Sequence, residues 1–323
     1  MEADHKDLCF PQLRNKSCRK PTLPGTDGVL LSVVLALISA TTATLNLLVI
    51  ISVSHFRKLH TPTNVLLLSL SVSDFLVGLL LMPLELHRKV ACWENALCSL
   101  YGFLIAHVVS ASIGTIVLIA ADRYVAVCDP LRYPTKITMG RVKCCVCLCW
   151  ISNAVYRLVF LKDELFQPGG SKSCVGQCAY VAQPVAWLVE LTLFFIVPVT
   201  VIVVLYGRVF AVAVSQARAM RSRVTTGSHH FSTVKKSELK AARTLGILVV
   251  VYLTCFCPYF CYSLAEVNVT STSYASYLIF LFYFNSCLNP VIYALFYRWF
   301  RKAVKLIVTL QILQPGSREA NIL

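Results

Sequence analysis

Charged residues are scarce in this sequence. Asp, Glu, Lys and Arg together make up 14% of the 323 residues, whereas hydrophobic residues make up 57%. Soluble domains carry about 25% charged residues, so the composition excludes an ordinary soluble protein and is typical of a chain with several membrane spans. Acidic residues are the scarcest, with 15 Asp and Glu against 30 Lys and Arg.

Other absences exclude whole classes of function. The sequence has no nucleophile–base pair and no metal-binding set, which excludes the common enzyme chemistries. It shows neither the internal repeats with paired broken helices of a secondary transporter nor the filter-like segment of an ion channel. A seven-helix transporter remains a remote alternative. Residues 1–28 lack the apolar run of a cleavable signal peptide, which predicts that the first span is its own insertion signal.

Seven hydrophobic runs are long enough to cross a bilayer, which takes about 20 apolar residues each. They predict an all-α membrane protein, a bundle of seven transmembrane helices. Residues 1–28 would be an extracellular segment, 29–297 the bundle, and 298–323 a short amphipathic eighth helix on the membrane followed by a cytoplasmic tail. The runs are 29–54, 63–86, 96–121, 142–161, 181–207, 244–265 and 273–297.

The distribution of basic residues predicts the orientation. With the N-terminus outside, the outer segments and helix ends hold ten Lys and Arg, and the inner loops and tail hold the other twenty. The positive-inside rule therefore favours an extracellular N-terminus and a cytoplasmic C-terminus in the plasma membrane. The net charge of +15 is then explained by a basic inner face that contacts membrane lipid and a cytosolic partner. It does not require a nucleic acid as partner.

The last span carries polar residues at membrane depth. Residues 285–300 read NSCLNPVIYALFYRWF, and each polar group without a partner in lipid costs several kcal/mol. The segment resembles the seventh helix of rhodopsin-like G-protein-coupled receptors, with its NPxxY motif, and the longer pattern resembles trace amine-associated receptors. That resemblance implies a receptor for a small-molecule amine. It would activate a heterotrimeric G protein of the stimulatory or olfactory type in olfactory neurons and raise cyclic AMP.

Landmarks elsewhere in the chain fit the same resemblance. Asp122-Arg123-Tyr124 resembles the DRY motif, in which the arginine would pair with its neighbour and with Glu238 in the inactive state. Helix 6 departs from the family pattern, because Phe256 stands where a Trp is usual. The implied activation switch consists of Asp122, Arg123, Tyr124, Glu238, Tyr206, Phe256, Tyr252, Pro198, Asn289, Pro290 and Tyr293.

Polar residues in the middle of several spans predict a cation site. Carboxylate, hydroxyl and amide oxygens are hard ligands for a small cation, and in this class of receptor the matching residues hold an allosteric sodium ion. A water-filled polar network without sodium is the alternative. The predicted ligands are Asp74, Ser112, Asn285 and Asn289, with Asn46 nearby.

The amine-binding residue is not where the resemblance usually places it. Ile105 occupies the helix-3 position of the usual Asp, and Glu190 stands in helix 5 within an apolar stretch. This pattern resembles a fish subgroup with an acidic residue in helix 5, so Glu190 is predicted to bind the ammonium. A structural Glu190 in a receptor for a non-aminergic small molecule is the alternative. Glu85 would bind a second amine or pair with a nearby basic residue. The predicted ligand-binding residues are Glu190, Ile105, Val109, Tyr259, Phe260, Tyr283 and Glu85.

Six of the 15 cysteines fall on the outer side, and spacing alone leaves many pairings open. The resemblance implies Cys98–Cys178, a bond shared across rhodopsin-like receptors. It leaves Cys9–Cys174 and Cys18–Cys92 as the expected remaining pairs. Two glycosylation sequons, at Asn15 and Asn268, also fall on this side.

Overall fold

A computed structural model gives the architecture for residues 8–21, 25–160, 176, 178, 184–223, 246–247, 249–262 and 272–322. Within these ranges the chain is α-helical, apart from short 3-10 and π turns, loops and two isolated bridges. The helices are α1 (Thr26–His55), α2 (Pro62–Val90), α3 (Asn95–Cys128), α4 (Met139–Phe160), α5 (Pro184–Arg223), α6 (Val249–Tyr262), α7 (Thr272–Phe296) and α8 (Arg298–Val308).

The helices match the predicted spans. In the described part of the chain, six of them are long and apolar enough to cross a membrane, and α6 is a shorter apolar helix. Leu148, Ile151 and Val155 of α4 are exposed on one face, and such an apolar face is suited to contact with lipid. The predicted class, an all-α membrane protein with a seven-helix bundle, is confirmed.

Helix α3 lies at the centre of the bundle, against α2, α4 and α5, while α1 lies against α2 and α7. The indole of Trp150 in α4 donates to the hydroxyl of Ser69 in α2 (3.1 Å), which in turn bonds to Thr115 of α3 (3.0 Å). These polar contacts join three helices within the apolar core, where every polar group needs a partner.

Two helices contain π turns that hydropathy did not predict. Val77–Leu81 in α2 and Thr192–Ile196 in α5 are wound as π-helix. Pro83 and Pro198 follow these turns, and a proline ring clashes with the carbonyl four residues earlier. A wider turn at that carbonyl relieves the clash.

Helix α8 leaves the bundle at Tyr297 and is amphipathic. Its apolar residues Trp299, Phe300 and Ala303 are buried, whereas Arg298 and Lys305 are exposed. The chain then turns back toward the C-terminal end of α1.

The residues after α8 are fixed to the last residue of α1 and to the loop that follows it. Ser317 bonds to His55 (3.0 Å), Glu319 pairs with Arg57 (3.3 Å), and Ile322 is buried in the core. The sequence did not predict this return of the tail.

The disulfides correct the predicted pairing. Cys98–Cys178 is present, but Cys9 is bonded to Cys92, so the predicted pairs Cys9–Cys174 and Cys18–Cys92 are wrong. The reason is local: Cys9 and Cys18 pair through their backbones (2.8 Å), which places Cys9 beside the end of α2. Cys18 is also disulfide-bonded, and Cys174 lies outside the described residues. Asn268 is outside them too, and Asn15 lies in the short helix Pro11–Lys16.

Candidate functional site

A cavity of about 250 Å³ lies between α3, α4, α5, α6 and α7. Five of the predicted ligand-binding residues line it: Glu190, Ile105, Val109, Tyr259 and Phe260. Further lining residues are Ala106, Ser110, Ile113, Arg157, Trp187, Leu191, Phe194, Ile279 and Phe282. The cavity is therefore mostly apolar and aromatic with a few polar groups, as small-molecule sites usually are.

Glu190 forms an ion pair within the protein. The guanidinium of Arg157 in α4 donates to its Oε1. A carboxylate within an apolar membrane helix usually pairs with a basic group, and the neighbouring helix supplies that group. The Glu190 side chain remains 33% exposed, and that of Arg157 only 7%.

Arg157 is the residue that sequence reasoning missed. It lies inside the predicted fourth span, and an ionisable residue within a span is a functional candidate by default. Its Nη2 donates to Ser110 (3.3 Å), and its guanidinium lies 4.9 Å from the centroid of the Phe194 ring. Its buried Nε has no hydrogen-bond partner in the described part of the chain.

Aromatic rings connect the cavity to the middle of the bundle. Phe260 stacks on Phe195 at 4.3 Å between centroids, and Phe282 lies 4.1 Å from Phe256. Phe256 in turn contacts Tyr252 at 4.4 Å. A ligand that moves Phe282 would therefore act directly on the aromatic residue that replaces the usual Trp.

Two predicted ligand residues lie elsewhere. The Glu85 carboxylate accepts two bonds from Arg88 (2.9 and 2.7 Å) and one from Tyr101 (2.7 Å), whose hydroxyl also bonds to that of Tyr283 (2.9 Å). Both Glu85 and Tyr283 are thus held in a buried cluster between α2, α3 and α7, outside the residues that line the cavity. Of the two alternatives for Glu85, the structure has the pairing with a basic neighbour.

A second polar centre surrounds Asp74. This carboxylate is fully buried and accepts a bond from the Asn289 amide (2.7 Å). Asn46 donates to the backbone of Ser286 nearby (3.0 Å). Several buried oxygens have no hydrogen-bond partner in the described chain, namely Asp74 Oδ1, Asn46 Oδ1, Asn285 Oδ1 and Asn289 Oδ1. Ser112, the remaining predicted ligand, is buried in α3.

The C-terminal end of α3 forms a polar network. Arg123 Nε donates to Asp122 (2.9 Å), and Thr63 and Tyr133 donate to the same carboxylate (3.0 and 2.9 Å). Burial, followed by the Asp122 charge, raises the pKa of Tyr133 to about 12, so the phenol keeps the proton that it donates. Glu238 lies outside the described residues.

Asp122 and Arg123 of the Asp122-Arg123-Tyr124 motif thus form a buried ion pair, since the two residues are only 2% and 5% exposed. The hydroxyls of Tyr206 and Tyr293 are buried without a hydrogen-bond partner among the described residues. Each of these phenol oxygens can therefore accept a hydrogen bond from an arginine that moves toward it.

Comparisons with known proteins agree with this arrangement. The model of the family described as "7 transmembrane receptor (rhodopsin family)" matches residues 45–293. Trace amine-associated receptor 13c of Danio rerio is 38% identical over 333 residues, covering 99% of this chain and 97% of the relative. Trace amine-associated receptor 7b of Rattus norvegicus is 36% identical over 342 residues, covering 100% and 94%. Trace amine-associated receptor 6 of Homo sapiens is 35% identical over 330 residues, covering 98% and 95%. The chain therefore belongs to the rhodopsin family of seven-transmembrane receptors and, within it, to the trace amine-associated receptors.

Proposed function

We propose that this receptor senses a small amine through Glu190 and activates a stimulatory G protein, which raises cyclic AMP. One observation carries the proposal: among the described residues that line the cavity, Glu190 is the acidic side chain. A carboxylate offers about four lone-pair sites, and the Glu190 side chain is 33% exposed, so an ammonium in the cavity can reach it. The rings of Tyr259 and Phe260 add cation–π attraction of about 0.5–2 kcal/mol each.

The acid in α5 rather than α3 aligns the chain with fish receptors that lack the helix-3 Asp. Ile105 lines the cavity at the helix-3 position and supplies no charge there. Coupling to the stimulatory or olfactory G protein rests on the family resemblance. The disulfides Cys9–Cys92 and Cys98–Cys178 belong on the oxidising side of a membrane, which supports an extracellular N-terminus and a cytoplasmic α8.

A sodium ion at Asp74 is part of the same proposal. Oδ1 of Asp74 and three amide oxygens, which have no hydrogen-bond partner among the described residues, are the hard oxygen ligands that a small cation prefers. Asp74, Asn285 and Asn289 would hold the ion, with Ser112 on the facing helix. The ion would neutralise the buried charge and stabilise the inactive arrangement.

The test of amine binding is Glu190→Gln, which keeps the shape of the side chain and removes its charge. Breaking a buried ion pair from one side costs about 3–5 kcal/mol, and about 1.4 kcal/mol is a factor of ten. The potency of the best amine in a panel of mono-, di- and polyamines should therefore fall at least about a hundredfold in a cyclic-AMP assay.

Glu85→Gln is the matched control. It also removes an acid from an arginine pair, but outside the cavity, so amine potency should stay within about threefold of the wild type. Surface expression of both variants is measured by an antibody to an N-terminal tag. If Glu190→Gln reaches the surface and still answers its best amine within about threefold, recognition of the ammonium lies elsewhere.

A further inference from the structure

The first half of helix α4 carries four cysteines, and packing accounts for one of them. A Cβ at Gly114 of α3 would collide with the sulfur of Cys149, so this thiol fills the space that the glycine leaves. The other three, Cys144, Cys145 and Cys147, are free and exposed. These three thiols therefore contribute nothing to the core of the bundle.

The exposed thiols lie at the end of the bundle opposite the disulfides. The bond Cys98–Cys178 is at the N-terminal end of α3, whereas α4 follows the C-terminal end of that helix. Arg141 of α4 donates to the backbone carbonyls of Thr135 and Lys136 in the connection from α3 (2.9 and 3.1 Å). Disulfides form on the oxidising side of a membrane, and thiols stay reduced in the cytosol. With the orientation proposed above, the three cysteines are available as free thiols.

Cys144 continues the exposed apolar face of α4. Leu148, Ile151 and Val155 follow it four, seven and eleven residues later, and a helix with 3.6 residues per turn brings these positions to one face. All four side chains are exposed. The thiol of Cys144 thus stands at the start of the stripe that is suited to contact with lipid.

The position of Cys144 along the helix places it at the level of the lipid headgroups. Arg141 and Lys143, which precede it, are exposed, and basic side chains near the end of a span extend to that level. Each residue advances about 1.5 Å along a helix, so Cys147 lies about 4.5 Å further into the bilayer. Cys145 is as shallow as Cys144 but is turned away from its face by about 100°. Among the three exposed cysteines, Cys144 combines the shallow depth with the lipid-facing side.

We propose that Cys144 is a site of S-acylation by a long-chain fatty acid. Cysteines beside a membrane span are the usual acceptors of this reversible modification. The acyl chain would extend from the sulfur along Leu148, Ile151 and Val155, within the hydrocarbon layer. The inference is independent of the ligand, because no residue of the cavity takes part in it.

The reaction needs one co-reactant, a fatty acyl thioester of coenzyme A. The Cys144 thiolate attacks the carbonyl carbon, so that a carbon–sulfur bond to the protein forms and the bond to the coenzyme A sulfur breaks. Coenzyme A leaves as a thiolate and takes up the proton that Cys144 released. The step exchanges one thioester for another and oxidises nothing.

An acyl chain at this position compensates for the composition of α4. Among the six helices of the described chain that are long enough to cross a membrane, α4 is the least apolar. Residues 288–323 contain no cysteine, so α8 cannot carry a thioester-linked chain. Acylation of Cys144 would fasten the receptor to the inner leaflet at a different helix.

The experiment labels the full-length receptor in cells with an alkyne analogue of palmitate. The receptor is purified through an N-terminal tag, a fluorophore is coupled to the alkyne, and the signal is divided by the amount of receptor. The wild type should be labelled, and neutral hydroxylamine should remove the label because it cleaves thioesters. Cys144→Ser should reduce the hydroxylamine-sensitive label at least about fivefold.

Two neighbouring cysteines provide matched controls. Cys145→Ser removes a thiol at the same depth on another face, and Cys147→Ser removes one on the same face at greater depth. Each should keep the label within about twofold of the wild type. Because Cys144 is exposed and outside the cavity, Cys144→Ser should also reach the surface and keep its amine potency within about threefold.

The possible results separate this site from its neighbours. A wild-type receptor at the surface without hydroxylamine-sensitive label overturns the proposal. A label that survives Cys144→Ser, or that disappears in Cys145→Ser or Cys147→Ser instead, shows that the chosen face and depth are wrong. Mass spectrometry of the wild type decides the matter even if a variant does not fold, since the peptide that contains Cys144 should carry the fatty acyl group on that residue. None of these results affects the proposed amine sensing, which fails only if no amine activates the receptor.

Discussion

Asp74 illustrates how single side chains shape this molecule. Its Oδ2 accepts from Asn289 at 2.7 Å, while its Oδ1 has no hydrogen-bond partner in the described chain. A buried polar atom left unsatisfied costs about 1–3 kcal/mol, and more when the group is charged. The uncompensated oxygens around Asp74 therefore favour the entry of a cation.

Asp74→Asn should remove the sodium dependence of agonist affinity, because the amide cannot neutralise a cation. The measurement is competition binding of the most potent agonist to membranes in NaCl or in KCl at equal ionic strength. The wild type should bind more weakly in NaCl, since the proposed ion would favour the inactive state.

Asp129→Asn is the control, because Asp129 pairs with Lys136 at the surface (2.9 Å) and its loss should leave the sodium effect unchanged. An Asp74→Asn receptor that keeps the whole effect, or a wild type that shows none, would contradict the proposed site.

The sequence indicated the residues of the cavity only in part. Glu190 stood out because one acid in an apolar run is conspicuous, and Ile105 followed from the family pattern. The pairing of Arg157 with Glu190 was not predicted, because Arg157 lies on another helix near the end of its span. Hydropathy does not indicate the direction in which a side chain points. Tyr283 was misplaced for the same reason, since its hydroxyl is turned toward Tyr101.

At the scale of the helix, the close packing of α1 on α2 depends on a residue without a side chain. The carbonyl of Gly78, in the π turn of α2, accepts from Ser39 at 2.6 Å. A Cβ at Gly78 would lie 2.6 Å from the backbone nitrogen of Ala43. Backbone atoms of a packed helix cannot move aside separately, so any side chain here pushes the two helices apart.

Gly78→Ala should therefore destabilise the receptor by about 1–3 kcal/mol, the usual cost of overpacking. The comparison is Gly207→Ala in α5, where an added Cβ meets nothing within 4 Å and Ala is the better helix former by roughly 0.5–1 kcal/mol. Thermal unfolding of the two detergent-solubilised variants gives the difference in Tm. Equal or higher stability of Gly78→Ala would show that the helices pack less tightly than described.

The predicted helices were correct because about 20 apolar residues must span a bilayer and must satisfy their backbone groups internally. The π turns and the tail were not foreseen. The π turns accompany Pro83 and Pro198, but a proline in a span does not by itself indicate how the turn before it is wound. The return of the tail depends on tertiary contacts, such as the ion pair between Arg57 and Glu319. These contacts leave no periodic trace in the sequence.

At the scale of the whole molecule, two disulfides join parts of the chain that are distant in sequence. Cys9–Cys92 fastens the N-terminal segment to the end of α2, and Cys98–Cys178 fastens α3 to the connection between α4 and α5. Cysteine spacing could not distinguish these pairs from the alternatives, because the bridge from Leu8 to Arg19 that positions Cys9 is itself a product of folding.

The two bonds should contribute equally to stability and differently to function. They close loops of similar length, with sequence separations of 83 and 80, so the double variants Cys9→Ser/Cys92→Ser and Cys98→Ser/Cys178→Ser should each lose about 2–4 kcal/mol. Only the second bond ties α3, which lines the cavity, to the chain before α5, so its loss should abolish the response to agonist, while the first variant keeps it. Mass spectrometry of the non-reduced wild type should find both linked peptides. A linked peptide of Cys9 with Cys174, or of Cys18 with Cys92, would contradict the structure. An agonist response that survives the loss of Cys98–Cys178 at normal surface expression would show that this bond does not shape the cavity.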